Sequence, residues 1–326
     1  MAAFSLHAET QGRLIKLLLT IALNSVASLL ISPTGFAAEA GAIEVVYPDI
    51  GEPYREIFEK IIEGIEHKSG NNVFKQIVDS KSDIGALKAS LYAKKVNVVI
   101  ALGRQGMKTA AELNNGIGMV VGCVLTVPES ETIGKPVINL TPDPDLLFAR
   151  MKALMPATKR VYVVYDPALN EWLIKLAKGA ALSQGLELIA YEARDLRSAV
   201  MLYQNIFSGA DGHSDVVWLP QDYTTVEEGT VLPMVLQESW NRDIAVFSSN
   251  STHVRRGVLF SLYPDNFGLG ESLAELAQGY LKSGTYASIG MMPLHDVRSV
   301  VNLRTAKHLR LKPSRLRDFD TILPEQ

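Results

Sequence analysis

The feature that most constrains this chain is an alternation, run through twice, of short apolar stretches with stretches of helical period. In the first series the apolar runs 43–48, 72–80, 96–102 and 119–126 are separated by segments 54–67, 84–93 and 105–113. Ile57, Phe58, Ile61, Ile62 and Ile65 recur at the spacing of one helix face. A second series places strands at 160–166, 186–193, 215–220, 244–249 and 257–263, with helices at 172–184, 196–207 and 226–241 between them. Strands joined through helices by short connections must run parallel, with right-handed crossovers covering both faces of the sheet. The two series match in layout and segment length, so the pattern predicts two similar α/β lobes, each a parallel sheet flanked by helices.

The seams follow from turn chemistry. Residues 128–136 are turn-rich, and Thr141 or Asp143 can cap a helix over 146–154 that Pro156 stops. A helix over 271–281 is closed by Ser283 and Gly284. The long tail after it, an extended run and a short helix, predicts that the chain crosses back between lobes. The expected division is 41–140 plus 262–288 for the first lobe, and 141–261 plus 289–326 for the second. Ahead of both, Arg13 and Lys16 precede an apolar run over 17–31 and a small-residue stretch, the grammar of a signal peptide cut after Ala37 or Ala40. Asn24 and Ser25 interrupt that run, which is shorter than the ~20 residues of a membrane span. A mature chain beginning there is expected to be extracytoplasmic, which in a bacterium means periplasmic.

Charge and motifs narrow the chemistry. The net charge is −3, and residues 1–40 contribute none of it, because Arg13 and Lys16 balance Glu9 and Glu39; no nucleic-acid footprint follows. The single Cys123 lies in an apolar run and reads as a buried structural thiol. There is no nucleophile elbow, no phosphate-binding Gly-rich loop and no His-Glu-x-x-His. His253, His295 and His308 stand in polar contexts without a second ligand at metal spacing, and read as surface or capping residues. The chain is expected to be a non-enzyme, with no metal and no cofactor.

Binding is better supported. In open parallel sheets ligands collect at the carboxyl ends of the strands, where loops converge and helix amino termini point free N–H groups outward. The candidates there are Tyr54, Ser80, Arg104 and Gln105 in the first lobe, and Asp166, Asp222, Thr224, Ser249 and Asn250 in the second. Asp222 beside Tyr223 offers a charge partner and an aromatic wall for an ammonium group, and Arg104 could serve a carboxylate from the opposite lobe. Ser80, Thr224 and Asn250 could equally cap the helices that follow them.

The segments 141–167, 215–225 and 244–284, with the closing run 301–313, together resemble the ABC transporter substrate-binding protein family related to bacterial tryptophan and tyrosine binding proteins. That resemblance implies a type I periplasmic binding protein fold, two lobes joined by crossover hinge strands that close over a small ligand. By matching positions it assigns Asp222 and Thr224 to an acidic-and-threonine loop, and adds Asp265, which precedes Asn266, Phe267, Gly268, Leu269 and Gly270. The first lobe departs from the pattern, carrying Gly103, Arg104, Gln105 and Gly106 where many members have a Thr-rich turn. The expected function is capture of a small polar or zwitterionic ligand, amino-acid-like in some members, by a monomer that delivers it to an inner-membrane permease and ATPase. A sensory or adaptor module on the same fold is the alternative. A hydrolase would require Ser249, His253 and a carboxylate to meet in the cleft. A LacI-like repressor is disfavoured by the leader and by the lack of a helix-turn-helix before Ile43.

Overall fold

The computed structural model describes residues 41–70, 72–113 and 116–324; the expected signal peptide lies outside them. The chain opens with β1 (Ala42–Pro48), α1 (Tyr54–Ser69), β2 (Val73–Val78), α2 (Ile84–Ala93), β3 (Val96–Leu102), α3 (Gly103–Ala111), β4 (Gly118–Val124) and β5 (Pro136–Pro142). It continues with α4 (Pro144–Leu154), β6 (Arg160–Tyr165), α5 (Pro167–Ser183), β7 (Glu187–Glu192), α6 (Leu196–Gly209), β8 (Asp215–Leu219), α7 (Val231–Asn241), β9 (Ala245–Ser248), α8 (Thr252–Arg256) and β10 (Phe260–Pro264). The closing elements are α9 (Asn266–Ser283), β11 (Gly290–Leu294), β12 (Val297–Asn302), α10 (Leu303–His308) and β13 (Thr321–Leu323).

These form a six-stranded sheet in the order β11-β5-β4-β3-β1-β2 and a seven-stranded sheet in the order β13-β12-β10-β9-β8-β6-β7. Every pairing is parallel except β10 with β12. Strands β8 and β9 are buried at every position, as their continuous apolar runs require of strands covered on both faces. Each sheet accordingly has two large apolar clusters, and the second carries a further small one of Val254, Val300 and Leu323. In the first, Ile61, Ile65, Ile100 and Leu273 pack on one side and Leu91, Leu113 and Val121 on the other. In the second, Phe148, Trp218, Phe247 and Phe260 oppose Tyr203, Phe207 and Val246.

Several element ends differ from the sequence pattern for local reasons. Asp143, not Thr141, caps α4, accepting from the Asp145 amide, and Pro144 sits at the first turn. The α5 helix begins at Pro167 because Asp166 caps it through the Ala168 amide. Over the segment 226–241 the helix begins only at Val231. The Glu227 carboxylate takes the amides of Gly229 (2.7 Å) and Thr230 (2.6 Å), and this holds residues 227–230 as a turn.

The chain passes between the sheets at three places that lie side by side. The first follows Pro142, the second lies between Pro264 and Asp265, and the third follows Leu294. The Asp143 amide donates to the Leu294 carbonyl (3.0 Å) and the Asp265 amide to the Asp296 carbonyl (2.9 Å). Strand β11 pairs with β5, so residues 290–294, expected in the second lobe, belong to the first sheet, whereas 262–264, expected in the first, belong to β10 of the second. Helix α9 returns the chain to the first sheet, where it crosses α1 at backbone contact. An added Cβ on Gly64 would sit 2.1 Å from the Phe267 carbonyl oxygen, and one on Gly270 2.0 Å from that of Ile61. Only glycine allows that approach.

Candidate functional site

A cavity of about 360 Å³ lies where the strand ends of the two sheets meet. The first sheet contributes Leu125 and Thr126, after β4; the second contributes residues 220–223 and 226–228, after β8, and Asn250 and His253, after β9. On the first side the strand is bent into place. Cys123 adopts a positive φ of 58° where the β4–β5 register shifts between Val121 and Val124, a bulge that re-aims the residues beyond it. Fully buried Asn139 then donates to the Leu125 carbonyl and accepts from the Thr141 amide, fixing the loop. Burial pushes the Cys123 thiol up to about 12.

On the second side Asp222 organises the wall. One carboxylate oxygen accepts the amides of Thr224 and Thr225, both at 2.9 Å. The other accepts the Asp166 amide at 2.7 Å and the Asn170 side-chain amide at 3.0 Å. With four donors already bound, this buried carboxylate ties the loops after β6 and β8 together rather than presenting a free charge to an ammonium group. Tyr203, fully buried beneath, has its phenol pushed upward by burial and by the Asp222 charge.

The same holds for Arg104. Its guanidinium donates to Glu131 at 2.7 Å within the first lobe, and the Arg104 hydrogen bond holds the Glu131 carboxyl below its usual range. Gln105 bonds the Asp79 carbonyl (3.2 Å) and Thr109 (3.3 Å). Of the residues expected at the site, Asp222 and Asn250 line the cavity. Asp166 touches it only through Asp222, and Thr224 follows the lining turn. Ser249 lies beneath, accepting from the Trp218 indole N–H at 3.0 Å. Tyr54, Ser80, Arg104, Gln105 and Asp265 are not among the lining residues; Asp265 sits at the crossing, 3.7 Å from Arg298.

His253 corrects the reading as a surface or capping residue. It is 3% exposed, lines the cavity, and places Nδ1 2.9 Å from the Ser248 hydroxyl. That hydroxyl also accepts from the Asn250 amide (3.0 Å) and donates to the Leu219 carbonyl (3.2 Å), an arrangement completed when the imidazole carries its proton on Nδ1 and donates to the same oxygen. Burial lowers the imidazole to about 4, which keeps it neutral at neutral pH. The triad imagined around Ser249 does not assemble, since Ser249 is held by Trp218. The serine that does meet His253, Ser248, is fully buried, and no carboxylate bonds His253 among the described residues.

A profile of the ABC transporter substrate-binding protein family matches residues 62–314. The chain belongs to this family. No curated protein matches this substrate-binding protein by sequence. Among solved structures it is similar to a ligand-free, open substrate-binding protein with adhesive properties from Clostridium difficile, at 16% identity and a TM-score of 0.60 over 86% of this chain and 98% of that one. It is also similar to an ABC domain in complex with L-Trp from Streptococcus pneumonia, at 17% identity and a TM-score of 0.51 over 87% and 100% of the two chains. A conserved domain protein from Vibrio cholerae gives 17% identity and 0.51 over 86% and 99%. The fold is that of the type I periplasmic binding proteins, with two mostly parallel sheets flanked by helices and joined by crossovers.

Proposed function

We propose that this substrate-binding protein captures a small polar solute between its lobes, in the periplasm, and hands it to the permease and ATPase of an ABC importer. The observation that carries the reading is the cavity itself, lined from both sheets at their strand ends. Lobe closure supplies the mechanism: a ligand touching both walls favours the closed state by the contacts that only that state makes.

The lining supports recognition by hydrogen bonds more than by ion pairs. Asp222 and Arg104, the charges expected to hold a zwitterion, are both bound internally, and Glu227 is spent on Gly229 and Thr230. What remains is Thr126, Gln221, the Asn250 amide nitrogen (its Oδ1 is taken at the start of α8, accepting from the Thr252 amide at 3.0 Å and hydroxyl at 2.7 Å), the Tyr223 ring and a neutral imidazole, with Glu228 3.6 Å from Arg256 as the acid least engaged. Calorimetric titration of the purified protein against uncharged polar solutes and zwitterionic amino acids tests this. Saturable one-to-one binding that is lost in Asn250→Ala supports it; no binding across the panel sinks it.

A further inference from the structure

On the flank of the second sheet, apart from the cleft, α7, α8, α10 and β13 enclose a groove of about 860 Å³. Its lining includes Gln237, Trp240, Arg255, Arg256, Arg304 and His308, and no aspartate or glutamate. In a chain of net charge −3, three guanidinium groups and an imidazole around one concavity do not follow from a general excess of base.

Two of these groups are already engaged. His308 lies 2.9 Å from Asp243 and stacks on Trp240 with ring centroids 3.6 Å apart, and Arg256 donates to the Glu228 carbonyl at 2.9 Å. The other two are not. Arg304 lies over the Trp240 ring, 5.4 Å from its centroid, and neither it nor Arg255 has a carboxylate partner among the described residues. Both are exposed, and the Gln237 amide beside them is likewise unpartnered among those residues. Like charges gathered on one wall repel, and an oxyanion that accepts from both guanidinium groups relieves that repulsion while forming the strong, two-pronged hydrogen bonds arginine favours. The volume is that of a small-molecule site.

We infer that this groove is a second ligand site, distinct from the cleft, which takes a small oxyanion of two or more negative charges carried on phosphate or on clustered carboxylates. Arg255 and Arg304 hold the anion, and the Trp240–His308 stack forms the floor.

The test is calorimetric titration of the full chain with inorganic pyrophosphate and, separately, with citrate, at about physiological ionic strength. Saturable one-to-one binding of either is expected; pyrophosphate alone assigns the phosphate, citrate alone the carboxylates, and both together assign charge. The double variant Arg255→Gln/Arg304→Gln should weaken binding at least tenfold with an unchanged melting temperature, while Tyr223→Ala, in the cleft, should leave it unaltered. Arg256 stays in place because it braces the Glu228 loop of the cleft. If the double variant melts early, Arg255→Gln alone gives the same reading. The proposal is overturned if neither anion binds saturably, if the glutamine variants bind as the parent does, or if Tyr223→Ala abolishes binding.

Discussion

His253 makes the stability of this protein depend on pH in a way that one substitution isolates. Burial lowers its imidazole from 6.5 to about 4, with Glu228 pulling it up and Arg256 pushing it down by less. The folded chain thus binds this proton more weakly than the unfolded chain does. The cost is absent above the unfolded value of 6.5, grows as pH falls, and is complete below about 4. Across that whole range it amounts to about 3 kcal/mol at ~1.36 kcal/mol per pH unit, and at pH 5 to about 2 kcal/mol. Urea unfolding at pH 7 and pH 5 should therefore show the parent losing about 2 kcal/mol more than His253→Gln, whose side chain does not titrate. Asp79 and Asp320, held below the usual carboxylate range by the backbone amides of Lys81 and Ser299, stay ionised at both pH values, and any carboxylate that does titrate is common to both proteins and cancels in the difference. Parallel profiles for parent and variant would refute the reasoning, because they would mean that the imidazole takes up its proton in the folded state as readily as in the unfolded.

Three further outcomes follow from the packing and the loop bonds. Gly64→Ala or Gly270→Ala drives a methyl into a backbone carbonyl and should cost about 3 kcal/mol each, read as a melting temperature lower by roughly 5–10 °C. Asp222→Asn should fare little better than Asp222→Ala, with about 2–4 kcal/mol lost in urea unfolding, because an amide nitrogen on one side would face the Asp166 and Asn170 donors. Arg104→Gln breaks only an ion pair at the surface, so the melting temperature should stay put, and a large fall would show that the pair with Glu131 holds the first lobe together.

The two-lobed architecture was legible because the strands announce themselves: runs such as 96–102 and 215–220 stay apolar on both faces, which only a sandwiched parallel strand needs. The cavity wall was legible only in part. Asp222 reads at first as a free acid at a strand end, yet the spacing to Thr224 and Thr225 is that of a side chain turning back on its own amides, a signal present in the sequence. Its other two donors, Asp166 and Asn170, are joined to it only by the fold, and no local pattern carries them. His253 was hidden for a different reason. Arg255 and Arg256 follow it and suggest a solvated helix, but α8 spans only Thr252–Arg256, so a single turn places the imidazole in the cavity and the guanidinium groups outside. The third crossing was misjudged because β11 is short and half-buried, and its register against β5, not its composition, puts it in the first sheet.

The asymmetry of the cavity bears on how closure would select a ligand. Leu125 and Thr126 are the first lobe's contribution, against a second-lobe wall already braced by Asp222, Ser248 and Trp218. On the proposed reading, a solute meets the organised second wall first and gains its remaining contacts only as the first lobe swings in. A ligand bound equally well by open and closed forms shifts nothing, so the free energy that drives closure must come from first-lobe contacts. Those contacts are positioned by the bulge at Cys123 and the bonds of Asn139. On that reading, selectivity rests on where the β4 loop is held when the lobes meet, as well as on the polar side chains of the wall that first receives the ligand.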